Sequence, residues 1–309
     1  MTKFEVPIGV SLWPRPEAVN DVTDVVELAR EAQGAGLRGV WFGQKFDLDS
    51  LVLAGVVGRV VEGIGVGTSV VPIGVRHPVV VGSQAQTAQA ASGGRFRLGV
   101  GFGAAEFDAA AFGVVEDKPV LRLREYLTVL REVIESGGVQ FAGGRVRANP
   151  PMSTTVRGGA NIPLLVAAMG PQALRVTGEL ADGVLPFLAG PRTLGTHIVP
   201  RLERARPDRR PQVVAGVVAV VTDRVEEVRA RAAEAMSFFE SVPSYRAVLD
   251  REGAGRAVEL ALIGDEEYVA RGLREYLEAG ATELLVTQTD LGGPADRQRT
   301  WRLLGELSV

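Results

Sequence analysis

Residues 37–71 read LRGVWFGQKFDLDSLVLAGVVGRVVEGIGVGTSVV. A short apolar run at 39–42 is followed by Asp49, which precedes a stretch at 49–61 with apolar residues three and four apart, and then by a second β-branched run at 65–71. Asp49 has the residue type and position of a helix N-cap. Neither flanking run alternates apolar with polar, which is how strands read when both faces are covered. The stretch is strand, helix, strand, and such a crossover joins parallel strands.

The same unit recurs toward both ends. The spacing predicts strands at 7–13, 39–42, 65–71, 96–101, 163–168, 183–187, 213–221 and 283–287, and helices at 22–33, 49–61, 79–91, 119–135, 172–180, 192–205, 225–239 and 266–279. Gly280 stands just after the last of these, as a C-terminal stop. An open doubly wound sheet commonly uses about six strands, whereas a count of eight predicts an α/β fold of the (β/α)8 TIM-barrel type. Two segments exceed the repeat. Residues 140–161, after the fourth unit, read as a surface excursion over the barrel mouth, and residues 242–262 as a helical insertion before the last unit. No low-complexity linker divides the chain, so one domain is expected over residues 1–309.

Composition narrows the function. With 46% hydrophobic and 23% charged residues the chain is globular rather than disordered, collagenous or coiled-coil. Lys+Arg 34 against Asp+Glu 37 gives a net charge of -3, so no nucleic-acid partner is expected. There is no cysteine, which excludes disulfides, thiolate metal sites and cysteine nucleophiles, and the two histidines, His77 and His197, are too few for a three-histidine metal site. The first residues lack the charged-then-apolar plan of a secretory signal, and no stretch approaches about 18 uncharged apolar residues, so a cytoplasmic protein without a membrane span is expected.

Barrel chemistry sits at the C-terminal ends of the strands. Those positions hold Trp13, then Gly43, Gln44 and Lys45, then Thr68, Ser69 and Val70, then Arg76 and His77, then Gly101, Phe102 and Gly103, then Ala168, Met169 and Gly170, then Phe187 to Gly190 with Ala189. No carboxylate pair or Ser–His arrangement emerges, and what remains is small residues and aromatic surface, suited to a planar organic cofactor. Gly99, Gly101 and Gly103 fall short of a dinucleotide loop, because Lys118 and Pro119 stand where its acid belongs. At Gly170-Pro171 a strand ends and proline opens a helix, which is either plain helix initiation or an anion site of free backbone amides. Lys45 reads as a proton donor, a cofactor clamp or a solvated loop charge, and His77 as a proton carrier or the start of a helix. His197 receives no role, and Glu106 and Asp108 read as surface residues.

At these residues the chain resembles the luciferase-like flavin and deazaflavin oxidoreductase superfamily. The resemblance is carried by Leu37-Arg-Gly-Val-Trp41-Phe, Gly65-Val-Gly-Thr-Ser69-Val-Val-Pro72, Arg76-His-Pro78, Gly93-Gly-Arg95-Phe-Arg-Leu-Gly-Val-Gly101, Arg124-Glu-Tyr126-Leu, Gly170-Pro and Gly178-Glu-Leu-Ala-Asp182-Gly. It is most similar to the F420-dependent subgroup, in which a run such as Pro243-Ser-Tyr-Arg246 also recurs. The resemblance implies a deazaflavin, F420, or alternatively FMN, lying across the C-terminal mouth beside a cis peptide at Ser69-Val70. Its phosphate tail would be held by backbone at Ala168, Met169 and Gly170 and around Ala189 and Gly190, with Trp13, Gln44, Lys45, Thr68, Gly101, Phe102 and Gly103 about the ring. Gln44 and Lys45 stand where many relatives place Asp and His, and Phe102 to Glu106 where others carry more polar residues. The implied activity is hydride transfer between F420 and a small organic substrate, with Lys45, Gln44 or His77 handling the accompanying proton. The alternatives are an FMN-dependent monooxygenase and a non-catalytic flavin-binding member. A homodimer is also implied, and the apolar second and third helices permit one.

Overall fold

The computed structural model describes residues 3–308. Eight strands build a parallel barrel: β1 (Ile8–Ser11), β2 (Gly39–Phe42), β3 (Gly65–Thr68), β4 (Phe96–Gly101), β5 (Leu164–Ala167), β6 (Gly183–Val184), β7 (Gln212–Val221) and β8 (Glu283–Thr287). Each pairs with the next. β8 returns to β1 in the register Ile8↔Leu284, so the sheet is closed. The strands are shorter than expected at several ends, 8–11 within 7–13 for example, because residues beyond the last ladder bond turn away as rim loops.

The barrel interior explains the glycines in these strands. Trp41 is fully buried inside, grouped with Leu165, Leu185, Val214 and Leu285. A Cβ on Gly67 would come within 2.5 Å of the indole, and one on Gly9 within 2.9 Å of its Nε1. Strands that omit side chains on either side therefore let one large ring fill the space where layers of smaller residues usually sit. Arg97 of β4 crosses the interior to Glu283 of β8, with its guanidinium 4.5 Å from the Trp41 ring.

Around the barrel lie α1 (Asp21–Gly34), α2 (Ser50–Val60), α3 (Pro78–Ala91), α4 (Ala105–Phe112), α5 (Pro119–Glu135) and α6 (Pro171–Leu180). They are followed by α7 (Pro191–Thr193) and α8 (Val199–Ala205), joined by a wide π turn at Leu194–Ile198. Last come α9 (Val225–Ser241), α10 (Pro243–Glu252), α11 (Glu266–Glu278) and α12 (Pro294–Leu307). Asp49 caps α2 as expected, its Oδ1 accepting the Leu51 and Val52 amides at 2.9 and 3.0 Å.

Three differences from the sequence expectation have physical causes. The crossover from β7 to β8 holds α9, α10 and α11 plus a short strand, Leu262–Gly264, paired to the C-terminal half of β7. The helix at 266–279 thus belongs to that crossover, and the true last helix is α12, whose Trp301, Leu304 and Leu307 are buried. α4 was not expected, because only Asp108 of its eight residues is buried and no apolar stripe marks it. The excursion at 140–161 runs up the outside of α3 and α5 rather than over the mouth. Its hairpin, Phe141–Ala142 with Arg147–Ala148, presents the Gly144, Arg145 and Val146 amides to the Glu125 carboxylate at 2.9, 2.7 and 2.8 Å. Burial raises that carboxyl's pKa, but the three amides hold it below the ordinary range. The return leg bonds Gln86 of α3 through Thr154 O and Val156 N, both at 2.9 Å. Buried polar groups on two helices need partners, and this segment supplies them.

Candidate active site

The C-terminal rim brings six of the expected strand-end residues into one surface. Trp13, beyond β1, lies over Gly43, where a Cβ would be 2.8 Å from its ring. The Lys45 ammonium sits 3.7 Å from the Trp13 ring centroid, an exposed cation on an aromatic face. Gly43 also faces the Ser69 carbonyl, and the Ser69-Val70 peptide is cis. Val70 leans on Gly101, where a Cβ would be 2.8 Å from Val70 Cγ2 and 3.2 Å from Ala167 Cβ. From β1 round to β5 the rim is therefore indole, methyl groups and bare backbone, with Lys45 as its charge. Phe102 is half-buried against the main core, and Gly103 is exposed with φ 75°.

Three expected residues are engaged elsewhere. The Gln44 amide donates to Lys45 O at 2.6 Å and Leu48 O at 3.2 Å, while its Oε1 accepts from Ser50 N, Ser50 Oγ and Arg76 Nη2, each at 3.1 Å. Every hydrogen of that amide is committed to its own loop. Thr68 is fully buried, and its hydroxyl both donates to Gly99 O and accepts from Gly99 N at 2.9 Å, latching β3 to β4. His77 caps α3, its Nδ1 accepting the Val79 amide at 3.3 Å and its Nε2 lying 2.9 Å from Arg147 O of the hairpin. Arg76 bonds Asp49 at 2.8 Å, so Arg76-His77-Pro78 fastens the second loop, the third helix and the hairpin together.

The two expected anion seats differ. At Gly170, the N-cap of α6, no side chain caps the helix and an added Cβ would meet nothing within 4 Å. The Gln172 and Ala173 amides there are first-turn donors with no helical acceptor. Beside them Met169 O accepts from His197 Nε2 at 2.9 Å. At Gly190 the place of an anion is taken by the chain itself: the Glu252 carboxylate of α10 accepts the Arg192 and Thr193 amides at 3.1 and 2.7 Å and fills the space beside Gly190 Cα. The first seat is open and the second is filled.

Several groups at this end escaped the sequence reading. Thr287 Oγ1 and Gln288 Oε1, at the end of β8, are buried without a hydrogen-bond partner, and Gln288 has φ 54°. Their strand-end position was the available signal. His197 is buried with an unpartnered Nδ1, and burial lowers its pKa against the opposing hydrogen bond to Met169 O. Its π turn shows only in three dimensions, and such turns cluster at functional sites. Asp108, expected on the surface, is buried between Gly74 and Gly103, and burial raises its carboxyl above the ordinary range despite the Arg122 charge. At the opposite end a cleft of about 400 Å³ is lined by Arg131, Asp182 and Arg209 among others, but Asp182 pairs with both arginines there. Among the described residues no group of three or more His, Cys, Asp or Glu is placed to hold a metal ion, and no helix is long and apolar enough to cross a membrane.

Comparison with known proteins adds the ancestry. A model of the luciferase-like monooxygenase family matches residues 3–283. The 5,10-methylenetetrahydromethanopterin reductase of Methanopyrus kandleri is 25% identical, with 98% of this chain and 97% of the reductase aligned. The solved coenzyme F420-dependent tetrahydromethanopterin reductase from Methanopyrus kandleri superposes with a TM-score of 0.81 at 23% identity, covering 99% of each chain. An F420-dependent secondary alcohol dehydrogenase, solved with an F420-acetone adduct, superposes with a TM-score of 0.78 at 18% identity over 98% of each chain.

Proposed function

The chain belongs to the luciferase-like monooxygenase family, and from that premise we propose that it is an F420-dependent oxidoreductase, a reductase or dehydrogenase acting on a small organic substrate. The observation that carries this reading is the pairing of a rim of indole, methyl groups and bare backbone, with Lys45 as its charge, and an open helix N-terminus at Gly170, which together suit a flat ring and an anionic tail. Similarity along nearly the whole length to a methylenetetrahydromethanopterin reductase supports the deazaflavin over FMN.

The residues fit such a group. The Gln172 and Ala173 amides at the α6 terminus would hold the phosphate, and beside them His197 Nε2 donates to the Met169 carbonyl and fixes its position. Trp13, Val70 and Gly101 would bound the ring. When bound, the deazaflavin supplies the carbon that gives or takes hydride. Lys45 would hold or move the accompanying proton, because its ammonium stands over Trp13 at the rim, whereas Gln44 and His77 act as fasteners of the loops that carry it. The rim walls would fix the approach of the substrate.

The reading takes residues 1–309 as one luciferase-like unit, cytoplasmic and homodimeric. Support for the dimer lies in Val52 and Val60 of α2 and Val80 of α3, apolar side chains 60%, 47% and 51% exposed. Quenching of F420 and FMN fluorescence on titration with the protein tests the cofactor assignment: saturable F420 binding is expected, and tight FMN binding without F420 affinity overturns it. Sedimentation tests the dimer, a monomer at all accessible concentrations being the contrary result.

A further inference from the structure

A band of phenyl rings crosses the mouth between strands that are not neighbours. Phe46 follows β2, Phe107 and Phe112 lie on α4 after β4, and Phe238 and Phe239 lie on α9 after β7. Phe46 touches Phe112 and Phe107 with ring centroids 5.9 and 6.3 Å apart, and Phe107 stacks on Phe238 at 5.1 Å with planes 12° apart. β4 and β7 stand three places apart round an eight-stranded ring, so the Phe107–Phe238 stack spans the opening rather than following its edge. Phe239 anchors the far end edge-on to Tyr245 at 5.0 Å. The other four rings stay wet: Phe46 is 66% exposed, Phe112 53%, Phe107 46% and Phe238 39%.

Ring contacts do not account for leaving four phenyl groups partly in water, since covering the apolar surface still exposed on each would be favourable. A contiguous exposed apolar patch marks a binding surface, and this one roofs the end of the barrel that holds the candidate site. Resting on the reading of that site, we propose that the substrate is an uncharged apolar molecule bearing a ring or conjugated system, held against the Phe46–Phe107–Phe238 strap by stacking. The stack, the planar shape of its members and the absence of any side-chain charge among them favour a neutral, flat occupant over an ionic one.

N-phenyl-1-naphthylamine, a neutral aromatic probe that fluoresces when bound, tests this with and without saturating F420. The wild type is expected to bind it saturably. The Phe107→Ser/Phe238→Ser double variant is expected to bind it at least about tenfold more weakly, and the conservative Phe238→Leu variant within about threefold of wild type, as loss of stacking and burial predicts. Thermal melts confirm that the variants are folded, and both should keep F420 affinity within about twofold. Unchanged probe binding by the folded double variant overturns the proposal. So does conversion of a dimer to monomer by the double variant with probe binding intact, since the strap would then dock a second copy. If the wild type binds the probe through the strap yet never binds F420, the cofactor reading fails and the apolar site stands.

Discussion

Gly170→Asp separates the tail seat from the fold, because its effects on stability and on binding have opposite signs. Gly170 occupies the N-cap of α6 with φ −76° and ψ 149°, which any residue adopts, and an added Cβ meets nothing within 4 Å. Aspartate there would accept the Ala173 amide, offset the helix dipole and lower unfolded-chain entropy, for a gain of about 1 kcal/mol. That corresponds to a melting temperature about 2 °C higher. The same carboxylate would stand about 5 Å from a phosphate held by those amides, and at an effective dielectric near 20 the repulsion is about 3 kcal/mol. F420 should therefore bind roughly two orders of magnitude more weakly, a loss that shrinks as salt is raised. Fluorescence titration and a thermal melt read the two effects on one sample. A variant that is more stable yet binds F420 as the wild type does would remove the tail from Gly170 altogether.

The filled seat gives the complementary result. Glu252→Gln leaves one of the Arg192 and Thr193 amides without an acceptor and removes the charge, so stability should fall by about 1–2 kcal/mol while F420 affinity stays within about twofold; a large gain in affinity would mean that Glu252 competes with the phosphate. Lys45→Met should lower kcat/KM about tenfold to a hundredfold and change the F420 Kd by less than about threefold, and an unaltered rate would end its part in proton handling. Asp182 accepts the Leu164 amide at 2.7 Å and pairs with Arg131 and Arg209; burial raises its carboxyl, but these partners bring it below the ordinary value. A depressed folded pKa means stability that is complete above the unfolded value of about 4 and lost as pH falls below it. Asp182→Asn should therefore cost about 3 kcal/mol at neutral pH and flatten the acid limb of a denaturation profile, whereas equal acid sensitivity of both proteins would contradict the assignment.

The barrel was legible in the chain because its signals are local. Strands such as Gly39–Phe42 and Leu164–Ala167 are apolar on both faces wherever they pack, and Asp49 caps α2 through amides two and three residues away. The rim was legible for the same reason, since the ends of strands determine which residues reach it. α12 and α4 were not, one because three helices crowd the preceding crossover, the other because it buries a single side chain.

What the sequence by itself determined is therefore the count and order of parallel strands and the positions that face the mouth. Only the tertiary structure decided which of those positions are free to act. His77 is occupied by Arg147, seventy residues on, Gly190 is covered by Glu252 from an inserted helix, and Phe107 meets Phe238 across the opening. Strand and helix patterns follow from neighbours a few residues apart, whereas a polar group or ring is committed or left free by partners that only chain folding brings within hydrogen-bond or stacking distance.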